Sequence, residues 1–203
     1  MCCNQRKGKY AGKHLICEEK KEMQKIYILV GPSGSGKTTL MDELVRRNPD
    51  FLPVKSVTTR QPRNTAEPNY RFVTEEAFNS ELKAGNFLEW STYAGNRYGT
   101  ASSDIDAILN FGKNAVKAMD ISGAKAVKER FGDRCMTVFI QRSRDSVIRN
   151  ILDRKTADAD IIARLASLDR EDKNKEFCDV ILENTEGVDE LYNNFIQKCF
   201  NFQ

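Results

Sequence analysis

Two stretches of the chain combine residue types and spacings that handle phosphate. "GPSGSGKTTL" (31–40) fits G-x-x-x-x-G-K-[ST] from Gly31 to Thr38, with an apolar run before it and a helical pattern after it. In such a loop the glycines let the backbone bend so that successive amides converge on phosphate oxygens. The N-terminus of the following helix adds partial positive charge. The expected donor site is therefore Gly31, Pro32, Ser33, Gly34, Ser35, Gly36, Lys37, Thr38 and Thr39. Lys37 is expected to reach the β- and γ-phosphates, and the Thr38 hydroxyl to complete a Mg²⁺ shell. The signature points to a purine triphosphate and leaves GTPases, motor ATPases and kinases open.

"SVTTRQPR" (56–63) bears on that choice, because a nucleotide hydrolase needs one phosphate site and a nucleotide kinase needs two. Arg60 and Arg63 carry planar, permanently charged forks suited to bidentate phosphate contacts. Ser56, Thr58 and Thr59 surround them with short donors, and Tyr70, Tyr98 and Thr100 add hydroxyls further on. Such a set can hold an acceptor phosphate opposite the donor loop. Two arginines in a solvated basic loop would give the same pattern, so both readings stand at this level.

The elements that must position these residues alternate between strand and helix. "KIYILV" (25–30) reads as a buried parallel strand ending at the glycine loop, and 37–47 as a helix stopped by "NPD". "PVKSVTT" (53–59) reads as one strand, 74–85 as a helix capped by Thr74, and 86–100 as antiparallel strands turning at Gly95-Asn96. Then come a helix over 102–112, the strand "NAVKAMD" (114–120) ending in an acid, a helix over 123–131 and the strand "CMTVFIQ" (135–141). Helices over 144–154 and 158–173, the strand "CDVILEN" (178–184) and a last helix complete the chain. The expected fold is α/β, a parallel sheet flanked by helices. Residues 53–100 are expected as an insertion and about 144–173 as a lid with its flanking helices, both closing over bound ligand.

With 203 residues, 40% of them apolar and 30% charged, the chain can bury one sizeable core. A net charge of +3 does not argue for nucleic acid. The cysteines (Cys2, Cys3, Cys17, Cys135, Cys178, Cys199) lack metal-ligand or scaffold spacing and read as free thiols. His14 is the only histidine, which excludes a histidine-based triad or zinc site. No apolar run approaches the ~20 residues that span a bilayer. Residues 1–24 read as a polar, disordered extension before a domain over 25–203. The expectation is a cytoplasmic monomer or homodimer whose partners are small nucleotides, with neither nucleic acid nor membrane.

"GPSGSGKTTL", "SVTTRQPR", "YRFVT", "FLEW", "GNRYGT", "DRKT" and "VILEN" occur in the order and spacing of the guanylate kinase family, which the chain resembles over about 25–200. The resemblance implies a P-loop kinase fold with an inserted GMP-binding region and a helical lid, transferring the γ-phosphoryl group of ATP to GMP with Mg²⁺. It implies that Ser56 and Glu89 face the guanine, with Thr100 and Gly99 beside them. Arg60, Arg63, Tyr70 and Tyr98 would bind the GMP phosphate, and Asp120 would lie near the acceptor base. Arg154 and Arg164 match lid arginines that join Lys37 and Arg63 in catalysis, and Asn184 matches a position next to the donor adenine. A carboxylate at position 89 accepts from guanine N1–H and N2–H₂, which adenine lacks.

The chain also departs from the family's pattern. "NTAEPNY" (64–70) is shorter than the family's loop, Ala118 replaces the first acid of a D-I-D run, and Asn150 stands at a lid arginine position. Gln141-Arg142 replaces a diproline. Two alternatives follow: a related phosphokinase with another nucleotide or a sugar phosphate as acceptor, and a catalytically weak binding module of the same fold.

Overall fold

The computed structural model describes residues 23–62, 67–93, 95–153, 158–185 and 187–200. The first half of the chain holds β1 (Ile26–Val30), α1 (Lys37–Arg47), β2 (Phe51–Pro53), β3 (Ser56–Thr58), β4 (Tyr70–Phe72), α2 (Glu75–Lys83), β5 (Phe87–Tyr93) and β6 (Asn96–Ala101). The second half holds α3 (Ser102–Asn110), β7 (Asn114–Ala118), α4 (Ile121–Phe131), β8 (Cys135–Gln141), α5 (Arg144–Leu152), α6 (Asp158–Asp172), β9 (Val180–Glu183) and α7 (Val188–Phe195). Most of the proposed extension, 1–22, lies outside the described residues.

A five-stranded parallel sheet runs in the order β2-β7-β1-β8-β9. Its central strand β1 is buried along its whole length. Successive side chains point to opposite faces, so Tyr27 and Leu29 pack on one side and Ile26, Ile28 and Val30 on the other. Burial on both faces is why the strand reads as an unbroken apolar run. On the first face α1 contributes Leu40, Met41 and Leu44, and α7 contributes Leu191 and Phe195. The rings of Tyr27, Phe51 and Phe195 meet there at centroid distances of 5.4, 5.2 and 5.9 Å. On the second face Ile105 and Leu109 of α3 pack with Ala124 and Val127 of α4.

A second sheet, β4-β3-β6-β5, stands on the first with its own small core of Val57, Phe78 and Ala101. Phe78 of α2 stacks on Phe87 at 4.5 Å. Among the described residues no helix is long and apolar enough to cross a membrane.

Two expected strands are redrawn. The segment 53–59 is split: Pro53 ends β2 on the edge of the parallel sheet, Val54 N bonds Val116 O, and Ser56 then pairs with Tyr70 in the other sheet. Apolar alternation shows an extended segment but not which ladder it joins, and a proline without N–H suits the end of an edge strand. The strand expected over 114–120 ends at Ala118, and Asp120 instead caps α4, accepting from Gly123 N at 2.9 Å. Aspartate satisfies an orphan amide at a helix start, and here that preference ends the strand early. Positions 118 and 120 therefore do not form one strand face.

Because Phe195 closes the aromatic triangle and is fully buried, Phe195→Ala should destabilise the fold by about 3–5 kcal/mol. Phe111→Ala, at a ring 74% exposed, should stay within about 0.5 kcal/mol. Urea unfolding of both variants checks the contrast.

Candidate active site

The loop between β1 and α1 is glycine-rich for two reasons, conformation and space. Gly31 has φ +143°, and a Cβ there would lie 2.6 Å from the Ile140 carbonyl oxygen. Gly36 has φ +108°, and a Cβ there would lie 2.5 Å from Asn184 Nδ2. Other side chains take up the loop's carbonyls. Lys37 Nζ donates to Gly31 O at 2.6 Å and to Pro32 O at 2.8 Å. Asn150 Nδ2 donates to Gly34 O at 2.9 Å, and Asn184 Nδ2 donates to Ser35 O at 2.8 Å. With these carbonyls satisfied by the protein, the loop can direct amides toward a ligand.

Two cavities meet at this loop. One, of about 480 Å³, is bordered by Gly34, Gly36, Thr38, Thr39, Arg142 and Asn150. The other, of about 560 Å³, reaches Met119, Asp120 and the start of α4. Ser33, Lys37 and Arg164 border both. Arg164 Nη1 donates to Ser33 Oγ at 2.6 Å, so α6 is seated on the loop.

The second sheet carries Ser56, Tyr70, Glu89, Tyr98, Gly99 and Thr100, with Arg60 just beyond the end of β3. Glu89 of β5 lies opposite Thr100 of β6, whose buried hydroxyl donates to Glu89 Oε1 at 2.6 Å. Gly123 of α4 makes room for that acid, since a Cβ there would lie 3.3 Å from Glu89 Cγ. Gly99 likewise admits the Phe87 ring, 2.8 Å from where its Cβ would be. Arg60 Nη2 donates to Glu67 Oε1 at 2.5 Å, and the guanidinium lies over the Tyr70 ring at 5.1 Å. The carboxylate of Glu67 raises the Arg60 pKa further above its ordinary value. Tyr70 and Tyr98 stand edge to face at 6.5 Å. Arg63 and Arg154 lie outside the described residues.

Three further side chains meet the loop or its cavity. Asn184 is buried beneath the loop and spends its amide on Ser35 O. Asn150, at a lid arginine position, bonds the loop as well. Arg142, one of the pair that replaces the diproline, borders the loop cavity. A fourth residue, Lys117, was missed altogether: it is 5% exposed, and its Nζ donates to Val54 O at 3.2 Å and to Ser56 Oγ at 2.9 Å. A lone lysine within "NAVKAM" was the available signal.

Desolvation pushes the Lys117 pKa down from 10.5 to about 8, against the pull of the Glu89 and Asp104 carboxylates. The sign follows from proton binding. Below pH 8 both folded and unfolded chains carry the charge and the burial cost is full. Between about 8 and 10.5 only the unfolded chain holds the proton, so stability rises with pH there. The gap corresponds to roughly 3 kcal/mol.

Comparison with known proteins gives one family. The profile described as guanylate kinase matches residues 23–199. The guanylate kinase of Prochlorococcus marinus is 34% identical over 173 residues, covering 84% of this chain and 94% of that protein. That of Thermobifida fusca is 35% identical, covering 83% and 89%. The crystal structure of guanylate kinase from Anaplasma phagocytophilum superposes with a TM-score of 0.65 at 22% identity, covering 86% of this chain and 84% of that one, and shows the same fold.

Asn184→Ala removes the donor to Ser35 O and leaves a loop carbonyl buried without a partner. Affinity for a triphosphate analogue, measured by calorimetry, should fall roughly tenfold while monophosphate affinity is kept.

Proposed function

The chain belongs to the guanylate kinase family, and from that premise we propose how its residues divide the transfer of the γ-phosphoryl group of ATP to GMP, giving ADP and GDP. The observation that carries the division is that Lys37 and Arg164 border both the loop cavity and the cavity reaching Asp120, so one pair of cations lies between the glycine loop and the one expected acceptor residue that lines the second cavity. The glycine loop binds the triphosphate. Lys37 exchanges its bonds to Gly31 O and Pro32 O for the β- and γ-phosphates. Arg60 exchanges Glu67 for the acceptor phosphate, with Tyr70 and Tyr98 beside it. Arg63 and Arg154 join the phosphate-binding and lid groups on their sequence positions alone.

Glu89, oriented by the Thr100 hydroxyl, accepts from guanine N1–H and N2–H₂, and Ser56 faces the same base. Asp120 spends one oxygen on its helix and borders the cavity that Lys37 and Arg164 also line. An acceptor phosphate oxygen forms a bond to the γ-phosphorus as the bond from that phosphorus to the β–γ bridging oxygen breaks, and ADP leaves. No general base is required, because a phosphate monoester is mostly dianionic at neutral pH, its second pKa being about 6. Catalysis comes from alignment and from spreading charge onto Lys37 and the arginines.

The residues present fit Mg²⁺ held chiefly by nucleotide phosphates. Thr38 is exposed at the cavity mouth, and among the described residues no cluster of acids, cysteines or histidines could hold a metal by itself. When bound there, the ion neutralises phosphate oxygens and fixes their orientation.

ADP formation from ATP–Mg²⁺ should be supported by GMP far more than by AMP, CMP or UMP, and equal use of AMP would overturn the assignment of Glu89. Lys37→Ala should retain the fold and lose about 10²–10⁴ in kcat. Glu89→Gln should cost about 2–5 kcal/mol in kcat/KM for GMP, with KM for ATP unchanged.

A further inference from the structure

Lys117 is the only buried charged side chain among the described residues. It sits in the middle of β7, on the side of the sheet where Ala115, Ile28, Val30 and Ile105 make an apolar surface. An apolar side chain would fill that place with no charge to desolvate. Its ammonium instead reaches the crossing between the two sheets, donating to Val54 O and to Ser56 Oγ.

A lysine ammonium can only donate, whereas a hydroxyl has one proton and two lone pairs. When Ser56 Oγ accepts from Lys117, its own proton is turned away from the ammonium, which leaves it available to donate into the site. We propose that Lys117 is a positioning residue that sets acceptor specificity: by fixing Ser56 as a donor, it selects a purine with a carbonyl, not an amino group, at position 6. The inference rests on GMP being the acceptor read by Glu89. With Glu89 taking N1–H and N2–H₂, the group left on that edge of guanine is O6, an acceptor, whereas adenine presents an N–H donor there.

The surrounding charges maintain this arrangement. Glu89 from β5 and Asp104 from α3 face the ammonium, and Arg71 of β4 lies 3.6 Å from Asp104. Their attraction opposes desolvation and leaves the lysine charged at neutral pH, with its proton lost near pH 8. A neutral amine can accept from Ser56, which turns the serine proton inward and removes the donor from the base.

The test compares GMP with 6-thio-GMP, in which a weakly accepting sulfur replaces O6 while N1–H and the 2-amino group remain. At pH 7 the unmodified enzyme should prefer GMP. Lys117→Met should lose about 10- to 100-fold in kcat/KM for GMP, mainly through KM, and little for the thio analogue, so that the preference collapses. The fall in GMP efficiency around pH 8 should disappear in the same variant. A folded Lys117→Met enzyme that keeps both the preference and the alkaline fall overturns the inference. If that variant does not fold, Ser56→Ala decides: loss of the alkaline fall supports the relay, and its persistence overturns it. Absence of GMP-dependent ADP formation in the unmodified enzyme would overturn the acceptor reading itself.

Discussion

A loop that turns its amides toward phosphate has to find partners for its carbonyls, and much of the molecule meets that one requirement. Two of the three partners come from distant parts of the chain. Lys37 lies at the start of α1, Asn150 on α5 and Asn184 just after β9. The two asparagines reach the loop because the parallel sheet ends its strands at a common edge. The two aromatic and aliphatic cores hold that edge in register, and β1, buried on both faces, carries the loop as a fixed extension. The packing limit is equally strict, since Ile140 O and Asn184 approach so closely that only hydrogen fits in place of Cβ.

The acceptor side is organised by charge more than by packing. Its small core of Val57, Phe78 and Ala101 supports a surface rich in paired ions. Arg60 is matched by Glu67, and Arg71 by Glu81. The Arg71–Glu81 pair is partly exposed and contributes little to stability, whereas the side chains of Arg60 and Glu67 are only 11% and 14% exposed. In the function proposed, Glu67 holds Arg60 ready to pass to a phosphate of similar geometry.

The parallel sheet and the donor loop were legible in the sequence because both depend on local pattern: an unbroken apolar run, then glycines at fixed spacing before a helix. The transfer of the chain from one sheet to the other at Val54–Ser56 was not legible, because strand propensity carries no information about pairing partners. Asp120 was assigned to a strand on alternation, whereas its bond to Gly123 N made it a cap. Asn150 and Asn184 were placed by correspondence with family positions, and their loop bonds depend on contacts more than a hundred residues apart. Lys117 went unnoticed because a charge in an apolar strand is normally a reason to doubt the strand.

The chain passes between the two sheets at two places. β6 passes into α3 without an intervening residue, while β2 and β3 are separated by Val54 and Lys55 alone. Lys117 ties this second crossing from beneath, through Val54 O and Ser56 Oγ. Mechanically the acceptor sheet is a lever on a short fulcrum. The β5–β6 turn stands roughly 17 Å out along β6, so a ~10° rotation at the crossing would sweep it through about 3 Å. The bonds of a single ammonium lie at that fulcrum, and the rim of the cleft is where any rotation about it would be largest.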